Sequence, residues 1–174
     1  MLIDEVDITI RGGHGGAGKV SFKGKDPDGG NGGKGGDVYI TVISDLKALN
    51  QFSRESNISA PNGIPGASNR LYGRKGKDLV LSLPIGTTLT NKRNNDVLEL
   101  NNLDQKILIC KGGLGGSGNI KFKSSKNQSP AYAQSGEPGE YKQFKVVLKF
   151  IAEYGLIGLP NAGKSSILNE LTNA

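Results

Sequence analysis

The sequence predicts a mainly β domain from which glycine-rich limbs project, followed by the opening of an α/β phosphate-binding fold. Three observations carry this reading: short β-branched segments bounded by turn residues, glycine runs that repeat with period three, and a strand, glycine turn and helix pattern late in the 174 residues. Glycine accounts for 27 residues, roughly twice its usual ~7% share, and supplies no side chain to a core. Something other than ordinary packing must order those stretches.

The segments 2–10, 37–43, 78–83, 87–90, 97–100, 106–110 and 142–150 are short, often β-branched and flanked by turn residues, and read as strands. Val38, Ile40 and Val42 alternate with Tyr39 and Thr41, and Pro84 with Gly86 marks a break after Leu83. No amphipathic helix of ten or more residues is expected before residue 160. Residues 1–151 are therefore assigned to the β-rich, glycine-rich domain and 152–174 to the beginning of a second.

Five, six and five of the glycines fall in the runs 12–18 (GGHGGAG), 29–36 (GGNGGKGG) and 112–118 (GGLGGSG). Weaker echoes with glycine at i and i+3 occur at 63–66, 73–76 and 136–139. Three residues per turn is the period of the polyproline II helix, which makes no internal hydrogen bonds and needs outside partners for its main chain. In a Gly-Gly-x repeat two of three edges are bare, so neighbouring rods can approach and bond laterally. The third edge carries His14, Ala17, Asn31, Lys34, Leu114 and Ser117, expected to point outward or towards flanking structure. A flexible linker is the bland alternative, but six phased segments interleaved with strands speak against it. Collagen is disfavoured, because the period is discontinuous and proline numbers only seven.

Gly158-Leu159-Pro160-Asn161-Ala162-Gly163-Lys164-Ser165 fits G-x-x-x-x-G-K-[ST] between an apolar run, YGLIGL, and a helix-like segment. The glycines let successive N–H groups wrap a phosphate at a helix N-terminus. Lys164 would face the β and γ phosphates, and the Ser165 hydroxyl is the natural Mg²⁺ ligand. Only ten residues follow Lys164, too few for the other segments that hydrolysis requires, so the polypeptide is expected to be part of a longer protein and to turn over nucleotide negligibly by itself. Two look-alikes upstream, Asp26-Pro27-Asp28-Gly29 and Asn91-Lys92-Arg93-Asn94, precede the phosphate loop and are declined as nucleotide motifs.

The net charge of +6 favours a polyanionic partner, RNA first. Lys23, Lys25, Lys34, Arg74, Lys75, Lys121 and Lys123, with Lys19, Arg70 and Lys126, cluster in and beside the glycine segments and are the candidate RNA-binding residues. Phe22, Tyr72, Phe122 and Tyr132 lie among them, as stacking groups or, more commonly for aromatics beside strands, as core. A single Cys excludes disulfides within the chain and Cys-based metal sites; Cys110 reads as a small buried hydrophobe and His14 as neither ligand nor catalyst. The N-terminus is not that of a signal peptide and no membrane-spanning run occurs, so a cytoplasmic location is expected.

These residues resemble the Obg family of GTPases over the whole length. The resemblance rests on GGxGGxGxVSF at 12–22, PDGGNGGKGGDV at 27–38, GxxGKDLxLxxPxGT at 73–87, KGGLGGSGN at 111–119, and GEPGE and GLIGLPNAGKSS near the end. It implies an Obg fold, with six polyproline II helices projecting from a small β-barrel, joined to a Ras-like GTPase domain. It further implies a cytoplasmic protein, a monomer, that binds GTP/GDP with Mg²⁺ and acts in assembly of the large ribosomal subunit by inserting its loops into rRNA, with a link to stress through guanosine tetraphosphate. Residues 158–165 would hold GTP, and Asn161 resembles the position at which related GTPases bind K⁺. The segment between Phe22 and Pro27 is several residues shorter than the family's basic stretch, which implies a reduced RNA-probing loop. Two other readings compete: a glycine-helix RNA-binding scaffold without a nucleotide switch, and an ATPase.

Overall fold

The computed structural model describes residues 5–53, 57–149, 157–158 and 163–172. Ten strands occur among them: β1 (Glu5–Arg11), β2 (Phe22–Lys23), β3 (Asp26–Pro27), β4 (Val38–Ile43), β5 (Asn57–Ser59), β6 (Leu79–Pro84), β7 (Thr87–Asn91), β8 (Val97–Glu99), β9 (Lys106–Cys110) and β10 (Tyr141–Leu148). One α-helix, α1 (Lys164–Thr172), and two 3₁₀ segments, Leu46–Ser53 and Asn119–Phe122, accompany them. A strand is present at each of the seven predicted segments; residues 2–4 of the first and 150 of the last lie outside the described residues, and the other ends agree to within two positions. The 151/152 boundary and most of the predicted strand before the glycine turn fall outside them; residues 157–158, which are described, are not in a strand.

Eight strands form two sheets over one core. The first sheet has the order β5-β1-β10-β7-β8 and the second β6-β4-β9. In β4, Val38, Ile40 and Val42 are fully buried while Tyr39, Thr41 and Ile43 are half-buried, the period-two pattern of a strand with one dry face. They meet Ile8, Ile10, Leu89, Val146 and Leu148 from the other sheet. Burying each such Ile, Leu or Val stabilises by about 1.5–3 kcal/mol. Between β6 and β7, Gly86 takes φ +81°, the left-handed conformation that this tight turn demands.

The fold class predicted from the sequence holds, with one correction: among the described residues the sheets do not close into a barrel. The outer strands of the first sheet, β5 and β8, are each only three residues long and pair only with β1 and β7, so no ladder joins the two sheets. Side chains fill the gap instead. The 3₁₀ segment Leu46–Ser53 buries Leu49 and Phe52 in the core, and Gln51 Nε2 donates to the Ser82 carbonyl on β6 (2.8 Å).

The glycine segments form a bundle of six rods, here rod 1 (12–18), rod 2 (29–36), rod 3 (61–67), rod 4 (71–77), rod 5 (112–118) and rod 6 (134–140). Their bonds are lateral and recur every third residue. Rod 1 donates from Gly13 and Gly16 to Gly36 and Gly33 of rod 2, and from Gly12, Gly15 and Gly18 to Glu140, Glu137 and Gln134 of rod 6. Rod 2 donates from Gly30, Gly33 and Gly36 to Ala67, Ile64 and Pro61 of rod 3, and from Gly32 and Gly35 to Gly116 and Gly113 of rod 5. Rod 4 donates from Gly73 and Gly76 to Asn31 and Lys34, and rod 5 from Gly113 and Gly116 to Gly13 and Gly16.

These pairings define a triangular net of two rows, 6-1-3 over 5-2-4, with rods 1 and 2 at its centre. Residue numbers rise together in some pairs and oppositely in others, so rods 1, 3 and 5 run one way and rods 2, 4 and 6 the other. None of the rod glycines needs left-handed φ; what excludes a side chain is proximity. A Cβ on Gly33 would stand 2.1 Å from the Arg74 carbonyl oxygen. The threefold rods inferred from the glycine period are therefore present, bonded through bare main chain.

Candidate nucleic-acid interface and phosphate-binding turn

The rods join the sheets at one end and end in three loops at the other. The first is the β2–β3 hairpin, with turn Gly24 at φ +64°; the second is the turn at 68–72; the third runs from Asn119 to 133. They converge through named bonds. Ser21 Oγ donates to Ser68 Oγ (2.9 Å), Asn69 N to Asp28 Oδ2 (3.2 Å), and Ser129 Oγ to the Lys25 carbonyl (2.7 Å). Beneath them Asn119, with no exposed surface, accepts from Gly29 N (2.9 Å) and donates to the carbonyls of Ser21 (2.9 Å) and Pro130 (3.1 Å).

The structure divides the seven basic candidates. Lys23, Lys25, Lys121 and Lys123 stand exposed on the tip loops, joined by Arg70. Lys123 lies 3.0 Å from Asp26, an exposed pair that holds little energy. Arg74 is exposed along rod 4 and fixed through its main chain, its carbonyl accepting from Ile64 N (3.0 Å).

Lys34 and Lys75 lie at the sheet-proximal end, in an ion-pair cluster. Lys34 Nζ donates to both Asp37 oxygens (2.7 and 2.8 Å), and Lys75 Nζ reaches Asp37 (3.4 Å) and Asp78 (2.8 Å). Asp37 also accepts from Gly112 N (2.7 Å), and Asp78 from Asp37 N (2.8 Å). Rods 2, 4 and 5 are thereby clamped where they leave the sheets.

Sequence reasoning missed this clamp: K-x-x-D occurs at 34–37 and 75–78, in the glycine segments, but also at 23–26 and 25–28 outside them. In a threefold rod, residues i and i+3 share an edge, so the spacing pairs the two charges only where the chain is a rod. Burial pushes the Asp37 carboxyl up, but the hydrogen bonds from Lys34, Gly112 and Lys75 outweigh it and leave it below its ordinary value. Lys75 and the Asp37 amide hold Asp78 down likewise.

A carboxyl depressed in the folded state adds stability above its unfolded pKa of about 4, and that stability disappears as pH falls through the lower folded value. Stability is therefore expected to decline below about pH 4, and Asp37→Asn to flatten that decline while lowering stability at neutral pH. Thermal unfolding across this range checks it; an identical acid profile in the variant contradicts the clamp.

The four candidate stacking aromatics, Phe22, Tyr72, Phe122 and Tyr132, are outside the core. Phe22, Tyr72 and Tyr132 are exposed, Tyr72 the most so at 72%, and the rings of half-buried Phe122 and Tyr132 pack with centroids 4.8 Å apart. Cys110 is buried, its Sγ 3.6 Å from the Ile10 carbonyl, and burial pushes its thiol up to about 11, consistent with an inert hydrophobe. The declined look-alikes have structural places: 91–94 forms part of the β7–β8 turn, and 26–29 carries β3 into rod 2.

Of the phosphate loop, Gly158, Gly163, Lys164 and Ser165 are described, and Leu159, Pro160, Asn161 and Ala162 lie outside the described residues. Gly163 takes φ +75° and α1 starts at the next residue. Lys164 Nζ donates to the Gly158 carbonyl (2.9 Å), and Ser165 is exposed in the first helical turn. A left-handed glycine, an amine reaching back to Gly158 and a hydroxyl at a helix N-terminus suit a phosphate, with the hydroxyl oxygen available as a metal ligand. Among the described residues no helix is long and apolar enough to cross a membrane, and no group of three or more His, Cys, Asp or Glu gathers to hold a metal.

A backbone-bonded rod bundle on a two-sheet body, followed by a glycine turn leading into a helix, defines a glycine-rod domain joined to the start of a phosphate-loop domain. The chain matches the family model GTP1/OBG over residues 3–150 and the model described as 50S ribosome-binding GTPase over 153–174. It belongs to the GTP1/OBG family. It is 43% identical to GTPase Obg of Persephonella marina, 44% to that of Malacoplasma penetrans and 43% to that of Borrelia hermsii, each over 99% of this chain. These alignments cover 53%, 42% and 55% of the respective relatives, so the chain spans about half the length of the curated relatives it matches.

Proposed function

We propose that the chain is the N-terminal part of a cytoplasmic, monomeric GTPase that docks on rRNA of the large ribosomal subunit through its rod tips and uses its nucleotide state to control that docking. The observation that carries this is the convergence of three loops, bearing Lys23, Lys25, Arg70, Lys121, Lys123 and exposed aromatics, on a bundle whose rods are tied main chain to main chain. Rigid rods carry cations away from the body and can present them to a folded polyanion with little ordering on contact. The matching model's description as a ribosome-binding GTPase supports the same partner. Lys34 and Lys75 keep the bundle's base together in this reading, and Arg74 borders the surface. Roles in subunit assembly and in a stress response to guanosine tetraphosphate go with it.

Residues 158–165 would hold GTP or GDP, Ser165 would ligate Mg²⁺, and Asn161 would border K⁺. The magnesium ion, when bound, neutralises charge between the β and γ phosphates.

The test is RNA affinity of the intact protein against salt. The logarithmic slope is expected to be steep, and Lys23, Lys25, Lys121 and Lys123→Gln together should flatten it by about 0.7 for each single-strand phosphate that is no longer neutralised. An unchanged slope removes the tip from the interface. Lys164→Ala should abolish nucleotide binding yet leave the salt slope in place, and competition between GTP and ATP discriminates GTPase from ATPase. Undiminished nucleotide binding in Lys164→Ala would favour the scaffold without a switch.

A further inference from the structure

The tip carries apolar surface as well as charge. Each of its three loops has an aromatic ring close to cations in the sequence: Phe22 before Lys23 on the hairpin, Tyr72 between Arg70 and Arg74 on the second turn, and Phe122 between Lys121 and Lys123 on the third loop, which also holds Tyr132. Phe22 is 41% exposed, Tyr132 53% and Tyr72 more than either. Rings left in water forgo the burial that aromatic side chains contribute elsewhere, and apolar groups gathered at one end of a molecule mark an interaction surface.

The four tyrosines among the described residues fall into two kinds. On the sheets, Lys106 Nζ lies 4.3 Å from the Tyr39 ring centroid and the Arg11 guanidinium 4.7 Å from that of Tyr141, so a cation already occupies one face of each. At the tip, among the described residues, no cation lies over Tyr72 or Tyr132, and neither hydroxyl has a hydrogen-bond partner. Phe122 packs on Tyr132 with the ring planes inclined at 39°, which orients that ring and still leaves just over half of the residue in solvent.

We propose that Tyr72 and Tyr132 are stacking platforms and that the RNA docked at the tip presents unpaired nucleotides, with bases on these rings and phosphates against the cations of the same loops. This rests on the docking reading above and adds to it the structural class of the RNA. In an A-form helix the bases stack on one another and their faces are closed to side chains, whereas a loop, bulge or end opens them. A ring accepts the face of any base, so the platforms select strandedness rather than sequence. An apolar protein partner fits less well, because the exposed charges on these loops are Lys23, Lys25, Arg70, Lys121, Lys123 and Lys126 against Asp26.

The experiment measures fluorescence anisotropy of the intact protein with three probes: 12-nucleotide oligo(U), a sugar–phosphate strand of the same length and charge without bases, and the 12-base-pair oligo(A)·oligo(U) duplex. Oligo(U) is expected to bind about five-fold or more tightly than the abasic strand, the lower end of the effect of one stacked base. Y72A and Y132A should each weaken oligo(U) by about five-fold or more and leave the abasic strand, the duplex and the salt slope unchanged. Y72F and Y132F keep the ring and should bind like the parent.

Equal binding of oligo(U) and the abasic strand by the unaltered protein overturns the platforms, as does an alanine variant that weakens both alike; a steep salt slope in either case leaves the docking reading standing. An alanine variant that binds oligo(U) like the parent removes its ring from the site, the result expected of a protein contact. Equal losses on oligo(U) and the duplex overturn the selection of unpaired nucleotides. Absence of binding to all three probes overturns both readings. Should Y132A disturb the third loop through Phe122, Y72A decides, since that side chain has no hydrogen-bond, ion-pair or ring partner among the described residues.

Discussion

Alanine at position 33 is expected to disrupt the rod bundle and lower stability by about 3 kcal/mol or more, through forced overpacking and broken hydrogen bonds. Gly33 lies in central rod 2, donates to Ile64 of rod 3 (2.9 Å) and accepts from Gly16 of rod 1 (2.8 Å). The added methyl would meet the Arg74 carbonyl oxygen at 2.1 Å and its carbon at 2.5 Å, both main chain, so no side chain can swing aside. Rod 4 must move away, and the bonds from Gly73 and Gly76 to rod 2 go with it. The comparison variant is Leu114→Ala at an x position, 58% exposed, which should change stability by less than about 0.5 kcal/mol. Thermal and denaturant unfolding measure both. A Gly33→Ala protein that melts with the parent would mean the rods are not held by close main-chain approach.

That contrast explains why so much of the fold was legible. A rod without internal hydrogen bonds can be ordered only by neighbours, and neighbours can approach only where Cβ atoms are missing, so the glycine period reports the packing directly. Val38, Ile40 and Val42 reported β4 for the equivalent reason, since one face of that strand is dry.

Strand β5 was not legible: Asn57–Ser59 pairs in parallel with β1 over three residues, too few to show any period. Barrel closure was not legible either, because it depends on whether short edge strands meet across a seam. At the candidate site, composition located the cations but not their partners. Lys34 and Lys23 look alike in the sequence, and only the folded chain sets the first against Asp37 and leaves the second exposed on the tip. The phosphate-loop motif, by contrast, can be read without the fold, because its pattern is local to eight consecutive residues.

Asn119→Ala is expected to loosen the tip as a unit, lowering stability by about 3 kcal/mol, since burying unsatisfied polar groups is destabilising by about 1–3 kcal/mol each. The register of rods 2 and 5 shows why. Gly35 N bonds to the Gly113 carbonyl and Gly32 N to that of Gly116, so the next step pairs Gly29 N with position 119. There the main chain has turned into the 3₁₀ segment, and the Asn119 side-chain oxygen takes the place of the missing carbonyl (2.9 Å). The amide nitrogen of the same side chain ties down Ser21, at the entry to the hairpin, and Pro130, in the third loop.

One side chain thus completes the rod lattice and fixes two of the three cation-bearing loops. Without it, hydrogen exchange at the Gly29 amide should accelerate together with exchange in 21–27, and RNA affinity should fall although no charge has been removed. Asn119→Asp, which keeps the acceptor and loses the two donated bonds, should fall between parent and alanine. Protection at Gly29 that survives Asn119→Ala would show that the lattice ends at Gly32 and that the hairpin is held by other interactions.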